Sequence, residues 1–263
     1  MTPGVTDLPL AGRCILLTRP RPESEALAAR IATAGGSSVI FPTLEIVEAP
    51  LAESARAALQ ALSSHRLAVF ISTNAVHFGM PLIRSAAGGW PPTLAAAAVG
   101  RATAEALHAQ GLARVWVPAT GGDSEALLAL PELRDVAGWR VLVFRGEGGR
   151  ELLAGTLQAR GAQVTYIECY RRAVPASDAG PVRQALREDR LDAAVAASSE
   201  GLRNLVELIG PASLAALRRI GMVVTHANVA QAARALGFER VEVASDAHEG
   251  VIDSLARLPR RDA

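Results

Sequence analysis

The two halves of this chain resemble each other at a fixed displacement, and this internal repeat constrains the fold more than any other feature of the sequence. Three pairs of residues, each set in similar segments, are separated by 126 positions: Arg19 and Arg145, Ser72 and Ser198, and Gly111 and Gly237. Any two strand-helix units look alike, so one match would mean little. Three matches at one displacement indicate a duplicated structural unit.

Within each repeat, short apolar or β-branched runs alternate with longer alanine- and leucine-rich stretches. Residues 13–18 (RCILLT) have the composition of a strand, and residues 23–34 place apolar side chains at helical spacing before two glycines that favour a helix end. Further strands are predicted at residues 39–41, 67–72, 94–100, 114–117, 140–145, 163–168, 191–197, 220–225 and 241–243. This alternation predicts an α/β protein of two similar, flavodoxin-like lobes, each built on a parallel sheet covered on both faces.

Ligands of open parallel sheets bind beyond the carboxyl ends of the strands, so the cleft between the two lobes is the expected site. Polar side chains stand at such ends, in 72–74 (STN) and at the equivalent Ser198 and Ser199. Hydroxyl and amide groups there usually cap the following helix. Capping accounts for them, but the remaining helix N–H groups could also bind a carboxylate. Residues 101–103 and 225–228 form a second such pair.

The segment 145–150 (RGEGGR) follows a predicted strand and is expected to open a helix, where glycines let an anion approach backbone N–H groups. Gly146 and Gly148 give G-x-G, and Glu168 lies about where a dinucleotide-binding fold has its ribose-binding acid. The third glycine is missing, because position 151 is Glu. A dinucleotide site and a simple tight turn both remain open from the residues alone.

Composition excludes several kinds of chemistry. All 27 basic residues are arginine, so a Schiff-base lysine, a pyridoxal-phosphate lysine and a P-loop lysine are excluded. The formal net charge of +1 lacks the large positive excess that is typical of nucleic-acid-binding proteins. The five histidines, at 65, 77, 108, 226 and 248, have no metal-ligand spacing, so no metal is expected. Arginine remains well suited to binding carboxylates in pairs of hydrogen bonds.

The chain shows no sign of membrane insertion or secretion. No apolar run approaches the roughly 20 residues that span a bilayer, and the N-terminal segment lacks the regions of a signal peptide. We therefore expect a cytoplasmic protein. Cys14 and Cys169 lie in separate apolar runs outside any C-x-x-C pattern and are expected to be reduced and buried.

Tyr170 is one of only two tyrosines and follows a predicted strand. At the displacement of 126, its counterpart in the other repeat is Leu44. A single tyrosine usually packs through its ring. A hydroxyl present at only one of two equivalent positions is also a candidate for chemistry, and both interpretations stay open from the residues.

In order along the chain, several segments match a known family: ILLTRP (15–20), STNAV (72–76), AVGRATAEAL (98–107), VLVFRGEGGRELL (141–153), YRR (170–172) and SSEGL (198–202). Together they resemble the uroporphyrinogen-III synthase family over nearly the whole chain, and VLVFRGEGGRELL is the most specific of them. Some members have a G-x-T-T turn where this chain reads GMVVTHANV (221–229), so no family role is carried onto Thr225, His226 or Asn228.

The resemblance implies two lobes joined by two strands: residues 1–42 with 173–263, and residues 48–168, with linkers at 43–47 and 169–172. It also implies a reaction. Such enzymes take hydroxymethylbilane, a linear tetrapyrrole with two carboxylates per pyrrole, remove its terminal hydroxyl as water, invert the last ring through a spiro intermediate and close the macrocycle of haem and related pigments. They use no cofactor, since the protein mainly orients a reactive substrate.

By the same resemblance, Tyr170 is the expected hydrogen-bond or proton donor to the departing hydroxyl. The residues expected to bind substrate carboxylates are Arg19, Ser72, Thr73, Asn74, Arg101, Thr103, Arg145, Ser198 and Ser199. A monomer that receives its substrate by transient hand-over from hydroxymethylbilane synthase is the expected assembly, with no nucleic-acid or membrane partner. Two other classes remain: a two-lobed small-molecule sensor without activity, and a dinucleotide-dependent oxidoreductase.

Overall fold

The computed structural model describes residues 8–245 and 249–259, so His248 lies outside the described residues. In chain order, the strands are β1 Cys14–Leu17, β2 Ser37–Ile40, β3 Glu45–Glu48, β4 Leu67–Phe70, β5 Ala95–Ala98, β6 Arg140–Gly146, β7 Gln163–Ala173, β8 Ala193–Ala196, β9 Gly221–Val224 and β10 Val241–Val243. The α-helices are α1 Arg21–Thr33, α2 Glu53–Gln60, α3 Thr73–Ala87, α4 Arg101–Ala109, α5 Ser124–Leu128, α6 Leu152–Ala159, α7 Gly180–Arg187, α8 Ser199–Ile209, α9 Pro211–Arg219, α10 Ala227–Ala235 and α11 Glu249–Arg257.

The chain divides into two compact units. The first contains the residues up to Glu45 together with those from Ala173 onward, and the second is Ile46–Arg172. The sheet of the first unit has the strand order β10-β9-β8-β1-β2, and all its neighbouring strands are parallel. Leu16 packs into the core on one face of this sheet, and Ile15 and Leu17 into the core on the other. Both faces are therefore covered, as the unbroken apolar strands predicted.

The second unit contains the sheet β3-β7-β6-β4-β5, in which the pairs β7–β6, β6–β4 and β4–β5 are parallel. Phe70 and Phe144 stack with ring centroids 4.5 Å apart on one face, while Val69 and Val143 belong to the core of the other. The structure confirms the predicted α/β class with parallel sheets. The origin of the two units by duplication stays a prediction.

Two of the predicted strands, at residues 163–168 and 114–117, depart most from the observed structure. β7 continues to Ala173; its pairing with β6 persists through a register shift after Arg145 as far as Tyr170, and β3 lies at its other side. The strand predicted at 114–117 contributes only an isolated bridge, between Trp116 and Ala97. Pro118 follows shortly, and proline has no N–H group with which to continue the ladder.

Within residues 8–245 and 249–259, none of the helices combines the length and the apolar character required to cross a membrane.

Candidate functional site

The carboxyl edge of the sheet in the second unit gathers most of the predicted site residues. β6, β4 and β5 are parallel neighbours, so their carboxyl ends share one edge, where ligands of such sheets bind. β4 is followed there by residues 72–74, β5 by Arg101 and Thr103, and Arg145 is the next-to-last residue of β6. Tyr170 lies opposite Gly146 on the adjacent β7. The topology thus brings Ser72, Thr73, Asn74, Arg101, Thr103, Arg145 and Tyr170 to one edge.

Ser72 and Tyr170 are in direct contact. Ser72 precedes α3, and its Oγ accepts the backbone N–H of Ala75 at 3.1 Å, which makes it the N-cap of that helix. The same Oγ shares a hydrogen bond of 3.0 Å with Tyr170 Oη. The capping role expected from sequence is therefore present, and the hydroxyl also contacts the one predicted catalytic residue.

Two neighbours fix the ring of Tyr170. Phe78, one turn into α3, stacks on it with ring centroids 5.9 Å apart. Gly146 faces the other part of the ring so closely that a Cβ at this position would lie 2.6 Å from Tyr170 Cε2. Glu147 N–H also donates to the carbonyl oxygen of Tyr170 at 2.9 Å. Sequence reasoning missed Phe78 and treated Gly146 only as a turn residue; an aromatic six residues after a predicted N-cap was the available signal.

Arg145 is almost fully buried and is held by protein groups. Its Nε donates to the carbonyl oxygen of Gly146 at 3.2 Å, and its Nη1 donates to Glu151 Oε1 at 3.1 Å. The guanidinium lies 4.4 Å from the centre of the Tyr166 ring, in cation-π geometry. Glu168 Oε1 is 3.9 Å from Nε. The side chain therefore orders the RGEGGR turn in this structure.

The segment 145–150 (RGEGGR) was expected to open a helix, but it forms a turn and α6 begins only at Leu152. Gly148 and Gly149 adopt positive φ angles of 72° and 104°, which glycine tolerates best. Gly148 N–H donates to Glu168 Oε1 at 3.2 Å. That bond occupies both an amide that could have bound an anion and the acid that a dinucleotide site would direct to a ribose.

Glu151 and Tyr166 form a short hydrogen bond, from Tyr166 Oη to Glu151 Oε2 at 2.5 Å. Burial and then this bond raise the pKa of Tyr166 to about 12. The bond from Tyr166 is also the main reason that the pKa of Glu151 lies below its usual value, with Arg145 contributing further. The tyrosine thus stays protonated and the carboxylate stays charged across the neutral range.

The start of α4 offers a different environment from the start of α3. Gly100 occupies its N-cap position and has no side chain to accept the N–H groups of the first turn. Arg101 is exposed at this turn and Thr103 is buried. Thr73 is exposed at the start of α3, and Asn74 is partly buried. Helix N-termini with an arginine nearby suit the binding of carboxylates.

The first unit carries the remaining predicted residues at the carboxyl ends of β1 and β8, which are neighbours. Arg19 follows β1 and is buried; burial lowers its pKa, and the nearby Glu23 carboxylate opposes that effect. Ser198 caps α8 by accepting Gly201 N–H at 3.0 Å, and Ser199 is the first residue of that helix. The structure therefore places these three residues at one edge as well.

Thr43 is a buried residue of this edge that sequence reasoning missed. Its Oγ1 donates to Gly201 O at 2.8 Å, and its carbonyl oxygen accepts Asn204 Nδ2 at 2.8 Å. These bonds tie the chain after β2 to the first turns of α8. A lone threonine beside Pro42 gave no signal of this role. Among the described residues, no group of three or more His, Cys, Asp or Glu side chains is arranged to hold a metal ion.

A family model described as uroporphyrinogen-III synthase HemD matches residues 25–252. The chain belongs to the uroporphyrinogen-III synthase family. It is 36% identical to the uroporphyrinogen-III synthase of Salmonella typhimurium over 234 residues, covering 89% of this chain and 95% of that protein. The enzyme of the same name from Escherichia coli is 35% identical with the same coverage.

Solved structures of uroporphyrinogen-III synthases share the fold. The enzyme from Helicobacter pylori superposes with a TM-score of 0.56 at 15% identity, over 93% of this chain and 98% of that one. A mutant from Thermus thermophilus gives a TM-score of 0.53 at 21% identity, over 91% and 95% of the two chains. At these identities the likeness is evidence for the α/β fold of the uroporphyrinogen-III synthase family alone.

Proposed function

We propose that this protein converts hydroxymethylbilane into uroporphyrinogen III, with loss of one water and inversion of the terminal pyrrole ring. The observation that carries the proposal is family membership along the whole fold: the family model spans residues 25–252, and the two enterobacterial relatives are matched over 95% of their length. A shared fold alone would not carry it, because one fold serves many activities.

Substrate binding would be shared among many modest contacts. A bilane with two carboxylates per pyrrole needs dispersed anion-binding groups, which helix N-termini and arginines supply. The proposed contacts are Arg19, Ser198 and Ser199 in the first unit, and Ser72, Thr73, Asn74, Arg101, Thr103 and Arg145 in the second. The bond from Arg145 to Glu151 is one that a substrate carboxylate could replace, since the Glu151 side chain is 72% exposed.

Tyr170 is the proposed proton donor to the departing hydroxyl. A phenol is protonated at neutral pH and can donate to an oxygen that develops negative charge. The ring is packed on Phe78 and Gly146, so its hydroxyl is held in one place with Ser72 as its neighbour. The breaking C–O bond leaves its electron pair on the oxygen, which takes the Tyr170 proton and leaves as water.

The decisive experiment supplies freshly generated hydroxymethylbilane to the purified protein with no cofactor added. The products are oxidised and separated by chromatography. Because the free bilane closes unaided to the type I isomer, formation of the type III isomer is the expected result, and type I alone would refute the proposal. Tyr170→Phe should lower the rate of type III formation by about 100-fold, within the range for loss of a general acid.

The same assay separates the two rival classes. A small-molecule sensor would bind the bilane without turnover, and a dinucleotide-dependent oxidoreductase would bind labelled dinucleotide. Gly148 N–H and the Glu168 carboxylate are hydrogen-bonded to each other, which argues against a dinucleotide site at this turn.

We propose that the enzyme acts as a cytoplasmic monomer without cofactor and receives the bilane by transient hand-over from hydroxymethylbilane synthase. The sequence has no heptad pattern and no long apolar edge that would suggest obligate assembly. Size-exclusion chromatography with light scattering should give a mass near 27.4 kDa. Hand-over would appear as faster type III formation, with less type I by-product, when the two enzymes are mixed than when preformed bilane is added.

A further inference from the structure

We infer that Ser72 is a positioning residue for Tyr170, which directs the tyrosine proton toward the leaving hydroxyl and then stabilises the tyrosinate. The inference rests on the proposed function, and for Ser72 it replaces the direct carboxylate contact proposed there with the positioning of Tyr170. The observation behind it is the pair of bonds at Ser72 Oγ, one from Ala75 N–H at 3.1 Å and one shared with Tyr170 Oη at 3.0 Å.

The serine hydroxyl can either donate to Tyr170 or accept from it, and we assign the proton of this bond to Ser72. A hydroxyl has one proton to donate and two lone pairs with which to accept. One lone pair of Ser72 Oγ accepts Ala75 N–H, so the proton is free to point at Tyr170 Oη. In that arrangement Tyr170 accepts a hydrogen bond from Ser72, and its own O–H remains available to donate to the substrate.

Transfer of the Tyr170 proton to the leaving hydroxyl strengthens the hydrogen bond that Ser72 donates to Tyr170. As the Tyr170 O–H bond breaks and the leaving hydroxyl becomes water, negative charge develops on the phenol oxygen. A hydrogen bond donated to a charged oxygen is roughly twice as strong as one between neutral groups. The Ala75 N–H, at the positive end of α3, polarises the serine hydroxyl in the same direction. Closure of the macrocycle releases a proton from the attacked pyrrole carbon, which restores the phenol.

The other unit provides a matched comparison. Ser198 caps α8 by the same bond, to Gly201 N–H at 3.0 Å. At the displacement of 126, the counterpart of Tyr170 is Leu44, which has no hydroxyl. Removal of the Ser198 hydroxyl therefore tests the loss of a capping serine without the loss of a tyrosine partner.

The test is a double-mutant cycle on steady-state formation of uroporphyrinogen III, with Ser72→Gly, Tyr170→Phe and the double variant. Glycine is chosen because it replaces serine at an N-cap for only a few tenths of a kcal/mol. Ser72→Gly should lower kcat about 10-fold and change KM less than about twofold, the effect of one lost charge-assisted hydrogen bond. In the Tyr170→Phe background it should change kcat less than about twofold, because the oxygen it serves is gone.

Two further variants complete the experiment. Ser72→Thr keeps both the hydroxyl and the cap, and should retain most of the activity. Ser198→Gly should act mainly on KM and should multiply with Tyr170→Phe. Multiplying effects of Ser72→Gly and Tyr170→Phe, or a change in KM alone, would overturn the inference while leaving the proposed function intact. A wild-type protein that makes no type III isomer would refute the proposed function itself.

Discussion

Gly146 lies directly beneath the ring of Tyr170, and a Cβ atom at position 146 would come within 2.6 Å of Tyr170 Cε2. The register shift after Arg145 creates this relationship, because it sets Gly146 opposite Tyr170 in the pairing of β6 with β7. The glycine is thus needed for close approach of a ring, whereas the tight turn of the same segment uses Gly148 and Gly149.

Gly146→Ala should displace the ring of Tyr170 and lower the rate of type III formation by about 10-fold, since small shifts of a proton donor are costly. Overpacking of this kind should also cost about 1–3 kcal/mol in the free energy of unfolding. Steady-state kinetics and urea unfolding measure the two effects.

Gly155→Ala is the control for this substitution. Gly155 lies in α6 with no atom near its added Cβ, and alanine there should stabilise the helix by about 0.5–1 kcal/mol without changing the rate. If Gly146→Ala were as active as Gly155→Ala, the packing of the Tyr170 ring would not matter for the reaction.

The sequence predicted the strands that lie deep in each unit, because buried parallel strands are unbroken apolar runs that need no knowledge of their neighbours. The predictions weakened where pairing decides the outcome. β7 extends beyond its predicted end at residue 168, where it pairs with β6 as far as Tyr170 and has β3 on its other side, and the segment at Trp116 makes one bridge beside Pro118. The neighbouring strands of β7 and of the Trp116 segment cannot be predicted from the residues of those segments alone.

The site shows the same division. Ser72 and Ser198 were predictable as caps, since the N-cap signal is local. The contact of Ser72 with Tyr170 joins residues 98 positions apart and depends on which strands are neighbours. Arg145 was predicted to face a ligand, but the positions of Glu151 and Tyr166 around it follow from the course of the turn. Its role in binding stays a prediction.

The titration of Tyr166 provides a direct test of this cluster. Burial and the bond to Glu151 raise its pKa to about 12, so its folded value lies above the ordinary value of about 10. A raised value means that the stabilisation is complete below pH ~10 and is lost as the pH rises toward 12. Tyr170→Phe leaves Tyr166 as the sole tyrosine, and its tyrosinate absorbance should therefore not appear near pH 10 while the protein is folded.

Circular dichroism, recorded on the same samples, identifies the pH at which the fold is lost. Glu151→Gln in the Tyr170→Phe background removes the charged acceptor, and the remaining tyrosine should then ionise at lower pH. Ionisation of Tyr166 near pH 10 in the folded protein with Glu151 present would contradict the geometry of the cluster.

Cys169 should be inert toward thiol reagents in the folded protein. Its side chain is buried, Sγ contacts Arg145 O at 3.5 Å, and burial raises its pKa to about 12, so the reactive thiolate is scarce. In Cys14→Ser, where Cys169 is the only thiol, modification by a disulfide reagent should be at least about 100-fold slower in the native state than after unfolding. Cys169→Ser, which leaves the partly buried Cys14, shows whether the folded protein excludes the reagent in general.

Arg13 should be a main source of stability for the last helix of the first unit. Its Nη1 donates to Leu255 O at 2.8 Å and its Nη2 to Leu258 O at 2.6 Å, at the end of α11. Carbonyl groups in the last turn of a helix have no donor within the helix itself. Arg13→Met keeps the length and apolar character of the chain but leaves these buried acceptors without their donors. It should lower the free energy of unfolding by about 2–3 kcal/mol.

Hydrogen exchange locates that effect, because amides of residues 249–257 should lose protection more than those of β1. The matched control is Arg21→Met, which removes an exposed arginine whose ion pair with Glu25 spans 3.7 Å. Exposed pairs of this kind contribute at most about 1 kcal/mol, so its stability should remain close to that of the wild type. Equal losses in the two variants would show that the carbonyl contacts of Arg13 add nothing beyond those of a surface arginine.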